Sequence, residues 1–76
     1  MRRRWQPTWQ HRLAARAIAA RAPLQQQHGV TRAVLADLEV HGYAYVLGLE
    51  YPELTALGVE LAETSDAQGR EIARAS

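Results

Sequence analysis

The stretch that decides the fold is residues 31–44, TRAVLADLEVHGYA, in which a helical pattern gives way to a strand-like one. From Val30 onward, apolar residues recur at the spacing of a helix that packs by one face. These residues are Val30, Val34, Leu35 and Leu38. The spacing predicts a helix from Val30 to about His41. Gly42 then occupies the position after the helix end, where a left-handed backbone is common and glycine adopts it at little cost.

The residues after Gly42 predict a β-hairpin. Tyr43–Leu47 is rich in aromatic and β-branched residues, which favour a strand. Gly48 allows a tight turn, and Leu49–Tyr51 predicts the returning strand. We expect the first strand to lie against the apolar stripe of the helix before it.

A third helix is predicted after the hairpin. Thr55 is placed to be its N-cap. We expect its apolar residues to pack inward, namely Leu57, Leu61 and Val59. Ser65 and Asp66 predict a further capped turn through Ile72, so residues 65–76 are expected to form a helical or disordered tail.

Upstream of the central stretch, residues 1–7 predict a basic arm. Thr8 is then placed to cap a helix that runs to about Ala22, where Pro23 stops it. The buried stripe of this helix is predicted to be Trp9, Leu13, Ala17 and Ile18. The polar segment that follows, up to Gly29, predicts a short turn or at most one helical turn.

The order of these elements predicts a small α+β, mainly helical domain with a two-stranded hairpin over residues 8–64. Residues 31–44 resemble the recognition helix of MarR-type winged helix-turn-helix regulators, whose helix closes with Leu-Glu-x-x-Gly, here Leu38–Gly42. Leu54–Gly58 is similar to the Leu-Thr-x-x-Gly motif that ends the second wing strand in the same regulators and caps the next helix. The two motifs stand in the family's order and cover about residues 30–62. The resemblance implies a winged helix-turn-helix-like domain that binds DNA and regulates transcription.

The net charge of +1 conceals two opposed halves. Residues 1–38 hold seven arginines against one aspartate, whereas residues 39–76 hold two arginines against seven acids. Because the positive half suits phosphate, we expect backbone-dominated binding of duplex DNA, with a few contacts from the start of the second helix. The predicted DNA-binding residues are Arg2, Arg3, Arg4, Arg12, Arg16, Gln26, Gln27, His28, Thr31 and Arg32. Alternatively, Arg12 and Arg16 pair with acids of the C-terminal half.

A protein partner is the alternative to DNA. The face of the second helix opposite its apolar stripe carries small and apolar residues, and the predicted wing tip is apolar and acidic rather than basic. Such a surface is typical of a protein interface. The residues predicted to form it are Ala36, Val40, Leu47 and Leu49. The partner would be a second copy in a homodimer or a host protein, bound by a phage-encoded inhibitor or assembly subunit.

Several kinds of site are not expected. Cysteine is absent, which excludes disulfides and cysteine-bearing zinc sites. His11, His28 and His41 have no recognisable ligand spacing, and no nucleophile stands beside a base in the sequence. We therefore expect no metal, no cofactor and no enzymatic activity.

No membrane span is predicted, since the longest apolar stretch without a charge, Tyr43–Leu49, falls far short of roughly 20 residues. The start of the chain resembles a signal peptide, but polar residues from Gln6 onward interrupt any hydrophobic region. We expect a cytoplasmic protein. Arginine without lysine and an alanine-rich composition suggest a high-GC bacterial host, and the small size suits a phage or mobile-element regulator.

Overall fold

The computed structural model describes residues 4–72 of the chain. Within these residues the elements are helix α1 (Trp9–Ala19), a 3₁₀ turn (Leu24–Gln26), helix α2 (Arg32–Val40), strands β1 (Ala44–Tyr45) and β2 (Glu53–Leu54), and helix α3 (Ala56–Glu63). The predicted α+β, mainly helical class is confirmed, and so is the short turn between the first two helices. Arg2 and Arg3 lie outside the described residues, as do the last four residues of the predicted tail.

The start of α1 is tied to α2 through a histidine. As predicted, Thr8 is the N-cap, and its backbone N–H donates to Nδ1 of His11 at 2.9 Å. The other ring nitrogen of His11, Nε2, lies 2.9 Å from a carboxylate oxygen of Asp37 in α2. Nδ1 accepts a hydrogen bond, so the proton of the neutral ring belongs on Nε2, which donates to Asp37. The buried imidazole therefore fixes the helix start and the packing of α1 on α2.

The end of α1 falls earlier than predicted. Ala19 is its last residue, and Arg21 adopts a left-handed backbone with φ of 54° before Pro23 is reached. The hydroxyl of Tyr51 donates to the carbonyl oxygens of Ala17 at 3.1 Å and Ala22 at 2.7 Å. A side chain from far along the chain thus supplies a donor to the Ala22 carbonyl just after the helix end, and it joins the Ala22 N–H, 2.9 Å away, at the Ala17 carbonyl.

The hairpin is smaller than the sequence predicts. In its antiparallel register Ala44 lies opposite Leu54 and Tyr45 opposite Glu53. The prediction that Leu49–Tyr51 forms the returning strand is wrong. These residues belong to a loop, residues 46–52, here called the wing loop.

A carboxylate of α2 is the physical reason for the early end of β1. Glu39 accepts the backbone N–H of Val46 at 3.0 Å and that of Leu47 at 3.2 Å. These two N–H groups point to the helix and cannot pair with a returning strand. Glu39 therefore turns the chain into the wing loop directly after Tyr45.

The two motifs of the sequence meet at the start of α3. The hydroxyl of Thr55 donates to the carbonyl of Gly42 at 2.6 Å and accepts the N–H of Gly58 at 3.2 Å, which confirms Thr55 as an N-cap. Gly42 has φ of 83°, as its place after α2 predicts. Gly58 is buried, and a Cβ there would overlap the backbone oxygen of Tyr43. The glycine lets α3 pack directly on the chain leaving α2.

The core lies where the three helices meet. It is built mostly from small side chains, with Leu38 as its largest fully buried apolar residue. Its buried members are Ala14, Ala15, Ile18, Val34, Leu38, Ala44, Leu61 and Ala62. The predicted inward packing of Leu57 and Val59 is wrong, because α3 turns the face of Gly58, Leu61 and Ala62 inward. Leu57 and Val59 remain 52% and 45% exposed.

The segment after α3 forms a turn held by Asp66, in line with the predicted capped turn, but the helical alternative for the tail is wrong over residues 65–72, which form no helix. Ser65 and Glu71 form an antiparallel bridge. Between them the Asp66 carboxylate accepts the N–H of Gln68 at 2.9 Å and of Arg70 at 2.8 Å. The backbone hydrogen bond from Arg70 is the largest cause that lowers the pKa of Asp66. Across residues 4–72, no helix is long and apolar enough to cross a membrane.

Candidate nucleic-acid interface

Helix α2 presents one face to solvent and buries the other. Its start is fixed by Thr31, whose hydroxyl accepts the N–H of Val34 at 3.2 Å. Val34 and Leu38 are buried against α1 and the hairpin. The opposite face is exposed and consists of Arg32, Ala33, Ala36 and Val40, of which Val40 is 78% exposed. An exposed helix with a small-residue face is able to approach a groove or another surface closely.

Polar and cationic side chains gather near the start of α2. Arg32 borders a surface depression of about 450 Å³ together with Gln25, Tyr51 and Glu50. Gln26, in the adjoining 3₁₀ turn, is exposed. Arg21 lies over the ring of Tyr51, with its guanidinium carbon 4.7 Å from the ring centre. The sequence does not single out Arg21, because its placement depends on a tyrosine that is distant in the chain.

The N-terminal arm is attached at the other end of α2. The ring of Trp5 stacks on His41, the residue that follows α2, with ring centres 3.8 Å apart and planes 9° apart. Trp5 also meets His11 edge to face at 5.0 Å. Arg4 directly precedes Trp5 and is exposed. The arm is therefore held so that Arg4 lies at the C-terminal end of α2.

Arg12 does not belong to this surface. The prediction that it contacts DNA is wrong, because Arg12 is 8% exposed and its guanidinium faces the segment after α3. Its Nη1 donates to the hydroxyl of Ser65 at 2.9 Å and to the carbonyl of Thr64 at 3.2 Å. Its Nη2 lies 3.6 Å from the carboxylate of Glu71, as the alternative of pairing with C-terminal acids predicted. Arg12 is a structural residue.

The other predicted DNA-binding residues divide into available and occupied side chains. Arg16 is exposed, but its Nη1 donates to the carbonyl of Ser65 at 3.0 Å. The Gln27 amide donates to Pro23, and the Thr31 hydroxyl is taken by its helix cap. The ring of His28 stacks on Trp9 with centres 5.9 Å apart. The exposed predicted residues without such a described contact are Arg4, Gln26 and Arg32.

The residues predicted to form a protein interface are all exposed. Leu47, in the wing loop, is 87% exposed, and Leu49 and Ala36 are exposed as well. A shallow groove of about 340 Å³ runs between α2 and the wing loop and is lined by Ala36 and Leu47, among others. The wing loop is thus apolar at its tip, and Glu50 gives it a negative charge beside Arg32.

One side-chain array has the composition of a catalytic triad but the surroundings of a helix cap. The hydroxyl of Thr8 lies 2.9 Å from Nδ1 of His11, whose Nε2 meets Asp37. The sequence did not reveal this proximity of a hydroxyl and a base. However, Nδ1 also accepts the backbone N–H of Thr8, and Trp5 covers the ring. Among residues 4–72 no group of three or more histidines and acids is placed to hold a metal ion.

Comparison of the chain with protein-family models, curated proteins and solved structures found no match. The resemblance of residues 30–62 to winged helix-turn-helix regulators therefore stays a prediction.

Proposed function

We propose that this protein is a small cytoplasmic DNA-binding regulatory or accessory protein that lays α2 in the major groove of duplex DNA. The proposal is carried by one observation, the placement of cations at both ends of α2. Arg32 stands at its start, and the stacking of Trp5 on His41 places Arg4 at its end. The exposed face between these ends is small and uncharged, so it does not repel the groove.

The dimensions of α2 fit this use. Its nine residues span about 13 Å at a rise of 1.5 Å per residue. A helix with its side chains is about 10–12 Å across, so it fits the major groove, which is about 12 Å wide. Arg4, at the end of α2, is then within reach of a phosphate that borders the groove, while Arg32, Ala33 and Ala36 face the base edges.

Electrostatics at the start of α2 favours an anion. The N-terminus of a helix carries partial positive charge, to which Arg32 adds a full charge. Arg21 and Gln26 stand nearby as donors to phosphate. The wing loop contributes Glu50 and no cation, so the affinity depends on the helix ends and the arm. We expect modest affinity with a steep salt dependence.

The test is a titration of labelled random-sequence duplex DNA at two salt concentrations. We expect binding at low salt that weakens as salt rises, because phosphate contacts release counterions. Arg4→Ala should reduce the logarithmic salt slope by about one, whereas Arg32→Ala should weaken binding with a smaller change in the slope. Trp5→Ala changes no charge but frees the arm, so it should also weaken binding.

Arg70→Ala is the matched control, because Arg70 is exposed and already paired with Asp66 at 2.7 Å. It should leave the salt slope close to that of the wild type. Absence of binding by the wild type at low salt would refute the proposal. Equal effects of Arg70→Ala and Arg32→Ala would show that binding depends on overall charge and not on α2.

A protein partner is the second candidate function, because Leu47 and Ala36 line the groove between α2 and the wing loop, and Leu47 and Val40 expose most of their apolar surface. In that case a second copy is the first partner to test. Sedimentation analysis should then give a dimer for the wild type and a monomer for Leu47→Asp. A monomeric wild type at high concentration would count against self-association.

A further inference from the structure

The exposed face of α2 combines one hydrogen-bonding side chain with several apolar ones. Arg32, Ala36 and Val40 are four residues apart and Ala33 lies beside them, so at about 100° per residue they share one side of the helix. All four are exposed, whereas Val34 and Leu38 on the other side are buried. This face is what α2 presents to a base edge in the DNA complex proposed above.

The acidic side chains of α2 do not contribute to this face. The carboxylate of Asp37 is held by His11, and that of Glu39 is held by the N–H groups of Val46 and Leu47. Acceptors that would read the amino group of cytosine are therefore already engaged by other groups of the protein. The face offers no asparagine or glutamine of α2 to read adenine. What remains is one guanidinium and a row of methyl groups.

Each of these groups has a definite partner in the major groove. Guanine presents two acceptors, N7 and O6, that a guanidinium binds together, and thymine presents an apolar C5-methyl group that alanine and other methyl-bearing side chains contact. We propose, on the basis of the DNA-binding function above, that α2 recognises a guanine through Arg32 and nearby thymine methyl groups through Ala36 and Val40. Ala33 flanks the same contacts.

The spacing along α2 sets the spacing along the DNA. Residues four apart are separated by about 6 Å along the helix axis. Bases along one strand are about 3.4 Å apart, so successive contacts fall roughly two base pairs from each other. The site is therefore a guanine followed by thymines within about four or five base pairs, a short element of mixed composition.

The test first selects bound duplexes from a random-sequence pool and then replaces thymidine by deoxyuridine in the selected site. Deoxyuridine keeps every hydrogen-bonding group of thymidine and lacks only the C5-methyl. The wild-type chain should bind the substituted duplex about fourfold more weakly for each recognised methyl group that is removed. Arg32→Ala should reduce the preference for the guanine by roughly five- to 150-fold.

Ala36→Ser tests the assignment to α2, because serine is close to alanine in size and replaces the methyl by a hydroxymethyl group. It should reduce the response to deoxyuridine, whereas Ala19→Ser, at an exposed alanine of α1, should leave that response unchanged. Circular dichroism of both variants confirms that they are folded.

The outcomes separate the inference from the function on which it rests. Binding that is insensitive to deoxyuridine would overturn methyl recognition and leave the DNA-binding function standing. If Ala36→Ser responds to deoxyuridine as strongly as the wild type does, the assignment of methyl recognition to Ala36 is overturned. Absence of any DNA binding at low salt would overturn both. A reduced response to deoxyuridine in Ala36→Ser, together with an unchanged response in Ala19→Ser, supports the inference.

Discussion

Replacing Arg12 by methionine separates a structural arginine from the surface arginines. Methionine keeps an unbranched, apolar stem of similar length and removes the guanidinium. The side chain is buried under the segment after α3, where its Nη1 donates to Ser65 at 2.9 Å and to the carbonyl of Thr64 at 3.2 Å. The change therefore removes two charge-assisted hydrogen bonds with little loss of packing.

The expected loss of stability follows from these contacts. A hydrogen bond to a charged group contributes about 1.5–3 kcal/mol. After the substitution the Ser65 hydroxyl still donates to the carbonyl of Leu61 at 2.6 Å, so it loses only one of its two hydrogen bonds. The ion pair with the exposed Glu71 adds little to the stability. Removing a buried charge also relieves its desolvation cost. We therefore expect a loss of about 2 kcal/mol, out of the roughly 4–11 kcal/mol typical of a chain this long.

The assay is thermal unfolding followed by circular dichroism. For a domain of this size about 2 kcal/mol lowers the Tm by roughly 8–16 °C. Arg32→Met is the matched control, because Arg32 is exposed and its replacement should leave the Tm close to the wild-type value. DNA binding of folded Arg12→Met should be unchanged, whereas Arg32→Met should bind more weakly. The reasoning is refuted if the Tm of Arg12→Met equals that of the wild type and its DNA binding is weakened as much as that of Arg32→Met.

Two further substitutions test the packing around the wing loop and α3. Tyr51→Phe leaves the carbonyl of Ala22, just after α1, without this donor, while the Ala17 carbonyl keeps the N–H of Ala22; it should cost about 1 kcal/mol in urea unfolding, whereas Tyr45→Phe, at an exposed position, should cost almost nothing. Burial raises the pKa of Tyr51 above its ordinary 10.0, partly opposed by Arg21; the folded state therefore favours the protonated phenol. The stability that this shift contributes is present below pH 10 and is lost as pH rises through the folded-state pKa. An ultraviolet titration of the wild type should therefore show one tyrosine that ionises at a higher pH than the others, and this step should be missing in Tyr51→Phe. Gly58→Ala should destabilise the chain although alanine favours helices by about 1 kcal/mol, because the added methyl meets the backbone of Tyr43; a higher Tm would contradict this close packing.

The local features of the fold could be predicted from the sequence. The sequence predicts Thr8 and Thr55 as N-caps and Gly42 as the residue that ends α2, and the structure confirms each. These features depend on residues within one turn of the chain, where capping and backbone preferences act. The α+β class follows from the same local signals placed in order.

The candidate site was only partly predictable. Arg12 and Arg32 are the same residue type, each on a helix, and no local pattern separates them. Arg12 is buried because Ser65, remote in sequence, packs against it, and Arg32 is exposed because nothing among the described residues covers that side of α2. The place of Arg4 likewise depends on the stacking of Trp5 on His41.

The sequence by itself determined where the helices of this protein begin, and where the first two end, to within a few residues, that Thr8 and Thr55 are N-caps, and that its charge divides into two opposed halves. Only the tertiary structure decided which arginines face solvent, where β1 gives way to the wing loop, and which face of α3 is buried. The reason is that capping and helix propensity act over a few residues, whereas burial and hydrogen-bond partners are set by segments that meet only when the chain has folded.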